Sequence, residues 1–180
     1  MPEIRFRPHH FLCTVGFEGK GYSDGFVANY RAIAAQLRNS PDGDETVIEV
    51  VSETTDSICA PCPNRRENLC ETETRIRALD AAHARILGLE AGDRLTWGEA
   101  KMRIRKKMTR ENFESACAPC SWKRAGICER ALKALHETGG VGPLFAAPKA
   151  MLAAILLTAV SLLGPSIAHA DPVSDYEARR

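Results

Sequence analysis

The stretch Ser57–Cys70 reads S-I-C-A-P-C-P-N-R-R-E-N-L-C, and Ser115–Cys128 reads S-A-C-A-P-C-S-W-K-R-A-G-I-C. Both are C-x2-C-x7-C with Ala-Pro in the first gap, and half of the 14 aligned positions are identical. Six of the seven cysteines lie in these copies. A C-x-x-C turn brings two sulfurs to bonding distance of one metal, and the third cysteine returns after a short loop. Two matching copies point to thiolate ligation of zinc, Cu(I) or iron–sulfur, and away from hard ions such as magnesium.

Structural zinc takes four ligands, and [2Fe–2S] and [4Fe–4S] clusters usually take four thiolates. Each cassette offers three, so two sites would each lack one ligand. The N-terminal run His9-His10-x2-Cys13 has the spare donors. His10 and Cys13 stand about one helical turn apart, on the same side of a helix. One arrangement joins Cys13 to Cys59, Cys62 and Cys70. Cys117, Cys120 and Cys128 then take His9 or His10, or leave an iron position open to substrate. Spacing alone leaves zinc against iron–sulfur open. Pro63 after Cys62 echoes the C-P ending of ferredoxin motifs, but C-x7-C is not the ferredoxin spacing.

With 180 residues the chain is long enough for one domain with a moderate core, or a small domain plus a tail. Lys+Arg (24) nearly balances Asp+Glu (23), so charge points neither toward nor away from nucleic acid. The start, M-P-E-I-R-F-R-P-H-H, lacks the apolar run of a signal peptide. A cytoplasmic, reducing location is expected, where C-x-x-C patterns serve metals more often than disulfides.

Ile4 and Phe6 alternate with arginines as a strand does, and Pro8 suits the first position of a helix. Ser23 can cap a second helix with Phe26, Tyr30, Ala34 and Leu37 on one face. Thr46–Val51 is β-branched and pairs with the first strand. A third helix carries Ile76, Leu79, His83 and Leu87 and stops at Gly88, and a fourth begins near Trp97 behind Thr96. Short helices from Glu111 and over Glu129–Glu137 flank the second cassette. The expected fold is α+β, mainly helical with a small two-stranded sheet, two cysteine-rich knuckles between helices, and a separate hydrophobic C-terminal helix. The metal-binding domain spans residues 1–140 and the tail 141–180. Residues 150–170 contain no Lys, Arg, Asp or Glu. They read either as a membrane anchor or as a misplaced signal-like segment ending in Ala168-His169-Ala170.

Several features have ordinary structural explanations. His83 on an apolar helix face is more often a satisfied core histidine than a ligand. Gly19-Lys20-Gly21 lacks P-loop spacing and reads as a turn. The basic run Lys101–Arg110 offers a nucleic-acid contact but is more often a solvated helix face.

The groups Arg7-Pro8-His9-His10-Phe11-Leu12-Cys13, Gly19-Lys20-Gly21-Tyr22-Ser23 with Phe26 and Asn29, and Asp56-Ser57-Ile58-Cys59 with Cys62-Pro63-Asn64 resemble a small bacterial and archaeal family. That family is domain-of-unknown-function family 1284. Thr96-Trp97 and the Cys117, Cys120, Trp122, Cys128 group are similar to it as well. The resemblance implies an iron–sulfur protein with no established reaction, with Cys13, Cys59, Cys62, Cys70, Cys117, Cys120 and Cys128 as ligands and His9 and His10 beside them. The expected function is electron transfer or redox sensing by one or two clusters, 4Fe–4S among them, with an unknown redox or enzyme partner. The alternative is a zinc-stabilised module that binds nucleic acid or protein.

Overall fold

Ile4–Phe6 (β1) buries Ile4 and Phe6 and exposes Arg5, the alternation of a half-buried strand. The computed structural model describes residues 3–138. β1 lies parallel to Val47–Val50 (β2), with Ile4 opposite Ile48 and Phe6 opposite Val50. A parallel pair needs a crossover, which two helices supply, Pro8–Gly16 (α1) and Asp24–Asn39 (α2).

The sheet has three strands rather than the expected two. Between β2 and the third strand, Arg65–Arg66 (β3) and Leu69–Cys70 (β4) form a separate antiparallel hairpin inside the first cassette. Arg94–Thr96 (β5) then pairs antiparallel with the other edge of β2, setting buried Leu95 opposite Ile48. Arg94-Leu95-Thr96 has a single apolar residue and so no alternating pair to mark a strand, and β5 is visible only through its partner.

α1 is almost wholly buried, with His9, Phe11, Leu12, Thr14, Val15 and Gly16 inside. It packs against Glu73–Leu87 (α3) and Ile127–Glu137 (α6). Ser23 caps α2 by accepting from the Phe26 N–H, and Phe26, Tyr30, Ala34 and Leu37 face the core. α3 stops at Gly88, whose φ of +66° suits a residue without a Cβ. Trp97–Lys107 (α4) and Arg110–Ala116 (α5) follow, and α6 begins two residues earlier than its charge pattern suggests.

Thr96 opens α4 with a reciprocal capping box: its Oγ1 accepts from the Glu99 N–H, and the Glu99 carboxylate accepts from the Thr96 N–H. Thr96→Ala is expected to cost about 1 kcal/mol. A thermal unfolding scan should show a fall in midpoint of roughly 4 °C, and no shift would mean the cap contributes nothing.

Three of the five basic residues on α4 have structural partners. Lys101 pairs with Asp44 at 2.5 Å, Arg103 donates to the Gly88 carbonyl at 2.7 Å, and Lys107 donates to the Leu87 carbonyl at 3.1 Å. The last two satisfy carbonyls at the C-terminus of α3, where cations are favoured. Among the described residues no helix is long and apolar enough to cross a membrane. The hydrophobic run 150–170 lies outside the described residues.

Candidate metal centre

The N-terminal turn of α1 holds two imidazoles side by side, with ring centroids 4.1 Å apart. A carboxylate only accepts, so each ring donates its Nδ1–H, His10 to Asp56 at 2.5 Å and His9 to Asp80 at 2.6 Å. Nε2 of each ring is left as the lone-pair nitrogen, and both residues line one cavity. Imidazoles held in this way are common metal ligands, with the carboxylate forming the layer behind them.

Asp56 is fully enclosed by donors. One oxygen takes His10 and the Arg7 N–H at 2.7 Å, and the other takes the N–H groups of Ile58 at 3.0 Å and Cys59 at 3.1 Å. Burial pushes its carboxyl up, but His10 and the backbone donors more than offset this and hold it at about 2. Asp80 takes the Arg7 Nε at 2.6 Å, and the rest of the Arg7 guanidinium forks onto Glu73 at 2.8 and 3.1 Å. Burial, then the neighbouring His10, lowers His9 to about 4 against the pull of Asp80, so His9 is neutral at pH 7.

In the first cassette the Cys62 N–H donates to the Cys59 carbonyl at 3.0 Å, and Arg65 N–H to the Cys62 carbonyl at 3.1 Å. The β3–β4 hairpin then sets Arg65 opposite Cys70 and returns the third thiol toward Cys62. Asn29 fastens this entry by donating to the Ser57 carbonyl at 2.9 Å. Ligating atoms of His10, Asp56 and Cys59 all lie within 4.8 Å of one another. Burial raises the Cys59 thiol, with the Asp56 charge adding to it, and burial raises Cys62, with Cys70 contributing.

The second cassette opens with the same turn, Cys120 N–H to Cys117 carbonyl at 3.0 Å. It then differs in shape. Ser121–Ala125 forms a 3-10 turn, and Gly126 at φ +67° reverses the chain into α6, which carries Cys128. α6 crosses α1 so closely that a Cβ on Gly16 would lie 3.1 Å from Cys128 Cα.

Cys13 therefore belongs with the second cassette, not with Cys59, Cys62 and Cys70. The Cys13 thiol lies beside that of Cys128, and their interaction raises Cys13, with burial adding, and lowers Cys128. Burial also raises Cys117 and Cys120. All four thiol residues, Cys13, Cys117, Cys120 and Cys128, line one narrow apolar pocket. His10 is the histidine that joins the first cassette, and His9 stands between the two sets.

A cavity of about 100 Å³ adjoins that pocket, lined by His9, His10, Cys13, Tyr22, Cys120 and Cys128 among others. Tyr22 accepts a hydrogen bond from Trp122 Nε1 at 2.7 Å. Burial raises its phenol to about 12, and it feels both Cys120 and Cys62, one cysteine from each cassette. Lys20 lines the cavity too, so the Gly19–Gly21 turn forms part of its wall.

Asp56 and Asp80 have no ligating or positioning role in the sequence reading, and His83 enters it as a satisfied core histidine. Asp56 lies three residues before Cys59, the spacing of a side-chain turn cap. Asp80 and His83 interrupt the apolar stripe of α3, and a charge in such a stripe is the signal to look for. His83, 1% exposed, is a satisfied core histidine, its Nδ1–H donating to the Leu79 carbonyl at 2.8 Å, and its Nε2 also lies 3.6 Å from the Cys117 sulfur.

A family model described as "Protein of unknown function (DUF1284)" matches residues 21–126. The match includes Cys59, Cys62, Cys70, Cys117 and Cys120, begins after His9, His10 and Cys13, and ends before Cys128. Neither the curated proteins nor the solved structures yield a match.

Proposed function

The chain belongs to the DUF1284 family of proteins of unknown function, and we propose that it is an iron–sulfur protein whose cluster is held by Cys13, Cys117, Cys120 and Cys128 and serves in electron transfer or redox sensing. The observation that carries this reading is the cavity of about 100 Å³ beside three of those four cysteines. A single zinc ion draws its thiolates in to about 2.3 Å and calls for no such space. One water takes about 30 Å³ of the liquid, so the cavity has room for a polyatomic group. The donor set fits as well, being four soft thiols and no hard ligand.

When bound, a cluster supplies one-electron exchange at a potential set by burial and by hydrogen bonds to its sulfurs. The chain supplies the surroundings. Leu12, Leu79 and Phe113 line the thiol pocket and limit water. His83 stands beside the Cys117 sulfur, and Tyr22 with Trp122 forms part of the outer wall of the cavity.

The test is to express the full chain without oxygen and measure iron, acid-labile sulfide and visible absorbance together. Iron, sulfide and charge-transfer colour are expected, and Cys13→Ser should at least halve the iron. A colourless protein whose thiols hold only zinc would end the iron–sulfur reading.

A further inference from the structure

We propose that the first cassette forms a second, chemically different site, in which Cys59, Cys62, Cys70 and His10 Nε2 hold one zinc-class divalent cation, with Asp56 as the positioning residue. It rests on thiolate ligation by the cassettes, as above, but not on the presence of a cluster.

Three observations lead there. The fourth thiol is missing, because docking of α1 on α6 commits Cys13 to Cys128. An imidazole stands beside the cassette instead: ligating atoms of His10, Asp56 and Cys59 fall within 4.8 Å of one another. Tetrahedral zinc with bonds of about 2.0–2.3 Å sets its ligands under ~4 Å apart, so a bound cation would draw the imidazole and the thiols together. Third, the turn at Cys59–Cys62 and the hairpin returning Cys70 gather the three cysteines of the cassette into one short knuckle, in which Cys62 acts on Cys59 and Cys70 acts on Cys62.

Asp56 looks like a ligand by distance but is excluded by its hydrogen bonds. Each oxygen already accepts two, from Arg7 and His10 on one side and from Ile58 and Cys59 on the other. A carboxylate has about four acceptor positions, so none remains for a cation. Its effect is exerted through His10. Holding Nδ1–H leaves Nε2 as the lone-pair nitrogen and fixes the ring's orientation, while the backbone bonds fix the turn that carries Cys59. Three thiolates and one imidazole suit zinc, which is borderline-soft and closes such sites as a tetrahedron.

The experiment uses the full chain, with zinc and iron quantified in the same samples and zinc-edge X-ray absorption on the wild type. One zinc per chain is expected, with three sulfurs at about 2.3 Å and one nitrogen at about 2.0–2.1 Å. His10→Ala should lose zinc to a chelator at least tenfold faster while keeping its iron. Asp56→Asn should keep the same ligand count but bind zinc 10–100-fold more weakly, the signature of a positioning residue. Cys13→Ser should keep zinc and lose iron. A four-sulfur zinc shell, less than a tenth of a zinc per chain, or loss of iron instead of zinc in His10→Ala would overturn the proposal. Zinc with the mixed shell in a protein that holds no iron would support it while ending the iron–sulfur reading. Because the absorption measurement needs no variant, a His10→Ala protein that fails to fold leaves the decision intact.

Discussion

Arg7→Met is expected to remove about 3–5 kcal/mol of folding stability, a large part of the 5–15 kcal/mol typical of a domain. Arg7 has no exposed surface, and its guanidinium forks onto Asp80 and Glu73. Burial opposes its charge, but Glu73 and Asp80 outweigh burial and leave its pKa raised. Methionine fills a similar volume and strands the Asp80 carboxylate, with the neutral His9 as its remaining side-chain partner. Burial pushes Asp80 up, yet His9 and Arg7 hold it below the usual carboxylate range, and Arg7 does the same for Glu73. Such depressed carboxylates stabilise the fold above their unfolded pKa of about 4 and lose that contribution as pH falls through the folded value. The gap between wild type and Arg7→Met should therefore be widest near pH 7 and narrow toward pH 3. Urea unfolding at both pH values measures it. Equal midpoints at pH 7 would show that the buried network is energetically neutral.

Gly16→Val should separate stability from metal content. A Cβ at this position meets the Cys128 backbone at 3.1 Å, so α6 must move to accept it, and valine adds two methyl groups in the same gap. Overpacking of this kind costs about 1–3 kcal/mol. The larger consequence falls on the thiols, since moving α6 draws Cys128 away from Cys13. Iron per chain is expected to fall at least fivefold. Gly16→Ala is the informative companion. Its single methyl meets the same backbone at 3.1 Å but adds no further atoms, so its unfolding midpoint should stay nearer wild type than that of the valine variant while its iron still falls. Full iron occupancy in the valine variant would show that the α1–α6 approach does not hold the site.

Much of the helical framework is legible because caps and stops are local. Ser23, Thr96 and Gly88 act within a few residues of themselves, and each does what its side chain, or lack of one, dictates. The two cassettes are legible for the same reason. What escapes is decided at long range. β5 exists because β2 offers it an edge, and nothing in Arg94-Leu95-Thr96 alone distinguishes a strand from a turn. The partner of Cys13 depends on which helix docks against α1, and a cysteine carries no mark of that choice. The identical spacing of the cassettes also hides their difference, one closed by a hairpin and the other by a 3-10 turn. Asp56 and Asp80 were visible as letters but not as partners, because each meets its histidine across more than 40 intervening residues.

The crossing of α1 and α6 sets a topological condition on the chain. Cys13 and Cys128 are roughly 115 residues apart, near opposite ends of the described fold. A metal group gripping both would act as a clasp on nearly the whole polypeptide. Closing a loop of about 100 residues removes on the order of 4.7 kcal/mol of entropy from an unfolded chain in the cross-link model. The clasp closes only after α6 has been synthesised, because its last thiol arrives with that helix. A chain cut short before Ile127 keeps all of the first cassette and two thirds of the second, yet has no means of fastening its first helix to its last.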